Sequence, residues 1–246
     1  MRRWLKAILL VFVILALALT TLPWWLGAAL RPAARHFGLD IGQYQRIGYA
    51  RFALDRAVYE RRNVRVSVRH VATDTPLLWL WRHVAGDGPR TELDGWSVVV
   101  TETKGPRRTG GTFGLVALHG FLNRLAPALE RWLGHAVLRE GRVAWPTGGL
   151  RLARATWDDR TFRFEGLGWK GGTADGRIAF DRNGTIVVAA GQGDFRAQLR
   201  WKGADVAGEG AAWGQPLALT AHFAPRGWIP AEAHATASAW TVAAAK

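Results

Sequence analysis

From Ala136 to the C-terminus, large apolar residues recur at every second position in short runs. Phe162 and Phe164, Ile178 and Phe180, Phe195 through Leu199 to Trp201, and Leu217 through Leu219 to Phe223 each alternate with polar or small residues. A period of two puts alternate side chains on one face, so each run predicts a strand with one apolar side. Turn-forming clusters separate the runs: Trp157-Asp-Asp-Arg160, Gly166-Leu-Gly-Trp-Lys-Gly-Gly172, Asp181-Arg-Asn-Gly184, Ala190-Gly-Gln-Gly-Asp194 and Gly214-Gln-Pro216. Asn183-Gly184, between Arg177-Ile-Ala-Phe180 and Thr185-Ile-Val-Val188, is the dipeptide that a tight hairpin favours. Residues 136–246 therefore read as an antiparallel β meander. Tryptophans 12 apart (Trp145, Trp157 and Trp169; Trp201 and Trp213; Trp228 and Trp240) match one strand plus one turn and point to a repeated unit, although so many tryptophans also permit coincidence.

Upstream the periods are mixed. Residues 31–112 read as an α+β segment. Phe37 to Tyr49 is extended with glycine turns, and Arg51 to Glu60 carries no clean period. Val64, Val66 and Val68 alternate with Arg65, Ser67 and Arg69, which predicts a half-buried strand. Thr75 to Arg82 reads as a short helix because Pro76 suits a first helical turn. Leu93 to Thr101 returns to strand, and Lys104 to Gly111 reads as a loop. In 113–135, Leu115, Leu118, Leu122, Leu125, Leu129 and Trp132 step by three and four, which predicts an amphipathic helix. Pro127 inside it must kink the helix or start a second one. Few lysines and arginines lie on its polar face, which favours packing over a sheet end rather than lying on a membrane.

Residues 1–30 differ from everything that follows. Ala7 to Leu22 is a nearly continuous apolar run, approaching the roughly 20 residues that span hydrocarbon. Arg2, Arg3, Trp4 and Lys6 precede it and Trp24 and Trp25 follow, as charged and aromatic membrane-interface residues do. The charge bias places the N-terminus in the cytoplasm and the rest of the chain outside it. Ala16-Leu-Ala18 also has the spacing of a signal-peptide cleavage site, but the apolar run continues past it.

Charge narrows the partners. The chain holds 33 Lys and Arg against 19 Asp and Glu, a net charge of +14 spread without a dense block. Such a surface favours anionic partners, and behind a membrane span these are phospholipid headgroups or acidic envelope polymers. Neither an RNA-binding aromatic signature nor a Cys/His finger occurs, so nucleic acid is not expected. With no cysteine there is no disulfide and no thiolate metal site.

Catalytic motifs are weak. Gly166-Leu-Gly-Trp-Lys-Gly171 has the dinucleotide glycine spacing but opens no helix that could hold a pyrophosphate. Asp158-Asp159 suits a turn, since adjacent carboxylates in a strand point to opposite faces. His36, His70, His83, His119, His135, His222 and His234 include no helical pair flanking a glutamate. No serine sits in a nucleophile elbow. No catalytic residue, cofactor or metal is therefore expected.

The anchor, then Asn63-Val-Arg-Val-Ser-Val-Arg69 running into Asp74-Thr-Pro-Leu-Leu-Trp-Leu-Trp-Arg82, then Leu93-Asp-Gly-Trp-Ser-Val-Val-Val100, resembles the start of the AsmA and TamB family of bacterial envelope proteins. Val137-Leu-Arg-Glu-Gly-Arg-Val-Ala-Trp145 with Leu150-Arg-Leu-Ala-Arg-Ala-Thr-Trp157 is similar to a recurrent strand pair there. The resemblance implies an inner-membrane anchor, a single pass, and an elongated β groove in the periplasm serving phospholipid transport or outer-membrane assembly, without enzymatic activity. The chain is short for the large members and is similar in build to type II secretion protein N, which implies instead a structural or secretion-apparatus module with a protein partner. A membrane-tethered enzyme acting on an acidic envelope polymer is the remaining alternative and would need a cleft of convergent carboxylates or histidines. The expected lipid-binding surface comprises Val64, Val66, Val68, Phe162, Phe164, Ile178, Phe180, Phe195, Leu199, Trp201, Leu217, Leu219 and Phe223, on a shared concave face, with Arg163, Arg196 and Arg200 turned to water.

Overall fold

The computed structural model describes residues 38–61, 63–101, 114–237 and 240–245, with a few positions at 21, 28, 31, 32 and 34–36. The expected interface residues Arg2, Arg3, Trp4, Lys6, Trp24 and Trp25 lie outside these, as do the loop at 104–111 and, Thr21 aside, the apolar run at 7–22. Among the described residues no helix is long and apolar enough to cross a membrane.

Fourteen strands form one sheet in strict chain order. They are β1 (Leu39–Ile47), β2 (Arg51–Arg61), β3 (Val64–Asp74), β4 (Arg90–Val100), β5 (His135–Trp145), β6 (Gly148–Asp158), β7 (Thr161–Trp169), β8 (Gly172–Phe180), β9 (Ile186–Gln192), β10 (Phe195–Lys202), β11 (Asp205–Ala212), β12 (Gln215–Phe223), β13 (Pro230–Ala237) and β14 (Trp240–Ala245). Two helices interrupt them, α1 (Pro76–Ala85) and α2 (Leu115–Leu133). The chain is mainly β, as the alternation predicts, and the meander runs from β5 to the end. One pairing departs from it: β4 and β5 are parallel. The connection through α2 explains it, because it carries the chain back to the end where β4 began, whereas a tight hairpin starts the next strand at the end the last one reached.

Arg51 to Glu60, without a clean period in sequence, lies in strand β2. A crease explains why. Arg56, Gly95, Glu140 and Gly166 have φ of 59°, 60°, 52° and 63° within β2, β4, β5 and β7, and the pairing registers align them across the sheet. A left-handed residue inside a strand reverses the alternation beyond it, so neighbours on one face are three apart rather than two. Leu93 and Trp96, Leu138 and Gly141, and Phe164 and Leu167 are such pairs, and Ala155 and Leu152 of β6, which holds no left-handed residue itself, lie opposite them in register. Most of these residues meet in one cluster, where buried Leu152, Ala155 and Phe164 pack against Trp96, Leu138, Phe162, Leu167, Ile178 and Ala190.

Pro127 sits inside α2, which continues through it as one 19-residue helix. Its ring is on an exposed part of the helix. The contact face of α2 is carried by Ala126, Leu129 and Leu133, which meet Ala136, Trp157, Leu138, Phe162 and Phe180 on the sheet. Trp132, predicted to lie in that stripe, instead stacks on Trp79 of α1 with centroids 5.6 Å apart.

Two glycines set up a paired prediction. A Cβ at Gly141 would collide with the Trp96 indole, which lies directly over it, whereas one at Gly120, within α2, would meet nothing within 4 Å. Gly141→Ala should cost about 1–3 kcal/mol through displaced packing, and Gly120→Ala should add roughly 0.5–1 kcal/mol by helix propensity. Urea unfolding of the two variants beside the parent measures both signs.

Candidate functional site

The site is the apolar face of β7 to β12 and the helix that lies on it. Opposed residues in a ladder share a face. Phe162, Ile178, Val188, Leu199, Gly208 and Leu219 form one such row, and Phe180, Ile186, Trp201, Val206 and Ala221 the next. A third, Phe164, Gly176, Ala190, Ala197, Gly210 and Leu217, consists mostly of small residues. By their spacing Phe195 and Phe223 stand on the same face. The structure thus brings together all ten predicted residues from Phe162 to Phe223. Val64, Val66 and Val68 share that face but lie on β3, four strands from β7 and beyond the crease, opposite Val100, Val98 and Trp96.

These side chains are incompletely covered. Phe164 and Ile186 are buried, Phe195 and Leu219 are exposed, and Ile178, Val188, Leu199, Trp201, Leu217 and Phe223 are half-buried. All fourteen strands belong to one sheet, so among the described residues the cover comes from α2, which lies over one end. It is fastened there to four successive hairpin tips. The Leu115 main-chain N–H donates to the Gly227 carbonyl at 3.0 Å. The Gly203 N–H donates to His119 Nε2 at 3.3 Å, and Asn123 Nδ2 donates to the Gly184 carbonyl at 2.9 Å. Glu130 lies 3.8 Å from Arg160. From Leu115 to Glu130 the helix rises about 22 Å, whereas the tips it touches are six strand spacings apart, roughly 29 Å along a flat sheet. The tips therefore converge on the helix and the sheet bends round it.

The opposite face is polar. Arg163, Arg196 and Arg200 all lie on it, as expected. A trough of about 1240 Å³ runs across β7 to β13 among Arg163, Glu165, Asp175, Arg177, Arg196, Gln198 and Glu209. Its lining takes in the whole of the third row, Phe164, Gly176, Ala190, Ala197, Gly210 and Leu217, but not Phe162, Ile178, Val188 or Leu199. Three arginines against three carboxylates leave it without a dominant sign, so it is no anion funnel. Farther along this face the charges pair locally: His70 Nδ1 is 2.8 Å from Asp55 Oδ1, Arg51 is 2.8 Å from Glu92, and Arg69 is 3.2 Å from Glu140.

Asp158 and Asp159 behave as a turn. Asp159 and Arg160 have φ of 40° and 58°, the conformation of a two-residue hairpin, and Asp158 lies 3.6 Å from His135. The glycine-spaced stretch at 166–171 ends β7 and turns into β8 with no helix following. Asn183-Gly184 closes the β8–β9 hairpin, with Asn183 Oδ1 accepting the Thr185 N–H at 2.9 Å. Among the described residues no group of three His, Asp or Glu could hold a metal ion. Burial pushes the Tyr44 phenol up, partly countered by Arg46. Tyr44 stacks on Phe52 at the far side of the sheet from the site, so this shift serves packing rather than chemistry.

One apolar surface escaped the sequence reading. Helix α1 turns Leu77, Leu80, Trp81 and Val84 outward, beside Tyr49. The three-and-four spacing of those four residues was legible; that this face would point away from the sheet was not. No family model matches the chain, and no curated protein sequence matches it.

Removing the Asn123 amide tests how firmly α2 holds the sheet. Asn123→Ala deletes the bond to the Gly184 carbonyl and should cost about 0.5–1.5 kcal/mol. The accompanying expectation is faster amide hydrogen exchange in α2 and in the 181–186 hairpin, with the β2–β4 strands unchanged.

Proposed function

We propose that the chain is a membrane-anchored envelope protein, resembling the AsmA and TamB family, whose apolar sheet face holds phospholipid acyl chains during transport between membranes or outer-membrane assembly. The observation that carries this reading is the half-exposed row Phe162, Ile178, Val188, Leu199 and Leu219, which α2 covers only at one end. Full burial of such a side chain is worth about 1.5–3 kcal/mol. A row of them left half in water calls for an apolar occupant, and acyl chains supply one beside a bilayer.

On this reading the run at 7–22 is a single-pass inner-membrane anchor and the sheet stands in the periplasm. The protein acts by binding, with no catalytic group, cofactor or nucleic acid involved. Five strand spacings of about 4.8 Å from β7 to β12 give roughly 24 Å measured along the sheet, so this stretch of the apolar face is wide enough to hold a few acyl chains side by side. The alternative, a structural or secretion-apparatus module, draws on a different feature. Among the described residues edge strands β1 and β14 each have one neighbour, and either can accept a strand from an envelope protein partner.

Native mass spectrometry of the full chain, extracted in mild detergent, tests the lipid reading. Phospholipid should co-purify at a defined stoichiometry and be lost in the Phe195→Asp, Leu199→Asp double variant. Arg200→Asp, on the opposite face, should retain it. A lipid-free parent, or equal lipid in the double variant, overturns the proposal.

A further inference from the structure

Helix α1 is amphipathic but seated the wrong way round for a helix packed against a sheet. Its inward side carries Leu78, Trp79 and Arg82, and its outward side carries Leu77, Leu80, Trp81 and Val84. The outward residues are heavily exposed, Trp81 at 70% and Val84 at 78%. With Tyr49 and half-buried Leu78 they line an almost wholly apolar hollow of about 580 Å³ at the helix surface.

This orientation is fixed by polar contacts. Asp74, the last residue of β3, is buried. Its Oδ2 accepts the Arg90 main-chain N–H at 3.0 Å and lies 3.5 Å from Arg82 Nε. Rolling the helix to hide Leu80 and Trp81 would strip that carboxylate of Arg82, so the apolar side stays outward. The helix is also well bounded, with Pro76 in its first turn and Gly86 in the left-handed conformation at its end.

We propose that α1 is a membrane-docking helix that lies in the interface of an anionic bilayer. This rests on the membrane-anchored reading above and adds a second contact, distinct from the anchor. Arg46 supplies the cation at the rim of the patch, 4.1 Å over the Tyr49 ring, while His83 stacks on Trp79 on the inward side of the helix. Asp87 is the exposed acid nearby, while Asp74 is held by Arg82 and Glu92 by Arg51 and Arg139. Exposed tryptophan and leucine with an arginine at their rim suit an interfacial contact, and the net charge of +14 agrees with an anionic surface. Docking also serves the groove. Trp79 stacks on Trp132 and donates its indole N–H to the Trp132 carbonyl at 3.4 Å, so α1 is joined to the C-terminal end of the helix that covers the apolar face. Lipid leaving the bilayer at α1 reaches that face beside α2.

The cysteine-free chain permits a direct test. An environment-sensitive fluorophore is attached to Val84→Cys, and separately to Trp213→Cys at an exposed hairpin tip, in the full chain reconstituted into phosphatidylcholine vesicles containing phosphatidylglycerol. Flotation is scored for both. The expected result is flotation, a blue shift and a several-fold loss of iodide quenching for the label at position 84, and an aqueous spectrum at position 213. Flotation with an aqueous label at 84, the result for a protein-binding α1, overturns the inference alone. Flotation with both labels in lipid also overturns it, because α1 is then not the selective contact. Failure to float overturns both this inference and the membrane-anchored reading.

Discussion

A one-layer sheet satisfies its main chain but cannot bury its own apolar side. Thirteen ladders give the inner strands hydrogen-bonding partners on both flanks, and that requirement sets the order of the chain. What the ladders leave unsolved is the row of phenylalanines, leucines and valines standing on one face. Ordinary domains close such a face with a second layer. Here α2 covers one end of the face, and buried residues gather in two small clusters near it rather than in a central core. The exposed remainder is therefore a consequence of architecture, and any function has to explain its persistence.

The crease shapes that face. Four left-handed residues at matched positions of β2, β4, β5 and β7 reverse the alternation on both sides of one line. A strand following strict alternation through this line would turn Trp96, Leu152 and Leu167 to the charged side. With the crease they join Leu138, Ala155 and Phe164, and the apolar face stays continuous from β3 to β12. Arg69, on the crease between Arg56 and Gly95, carries its charge to Glu140 across the same line.

Much of this was legible in sequence, for identifiable reasons. The period-two runs from Phe162 to Phe223 survive because few left-handed residues interrupt them there, so both strand and face could be read. The Asn183-Gly184 hairpin, the Pro76 helix start and the helix at 115–133 follow from local chemistry. Arg51 to Glu60 was illegible because its pattern is correct only once Arg56 is known to be left-handed, and arginine rarely adopts that conformation. The parallel β4–β5 pair depends on where α2 returns the chain, a non-local fact. The outward face of α1 was missed for a related reason. Its periodicity is local, but its orientation is set by Asp74, Arg82 and Arg90, which meet only in the fold.

The tryptophan period acquires a physical meaning in the sheet. A spacing of 12 carries the chain along one strand and through one turn, so successive tryptophans alternate between the two ends of the sheet. Trp145, Trp169 and Trp213 stand at one set of hairpin tips, and Trp157, Trp201 and Trp228 at or near the other, where α2 is fastened. The two ends treat them differently. Trp157 is buried against α2 and Trp201 packs on His119, whereas Trp169 and Trp213 are exposed; Trp228, near the α2 end, is exposed too, and Trp145 is half-buried. One recurrent residue thus meets α2 at one end of the apolar face and solvent at the other, because the helix lies over one end alone.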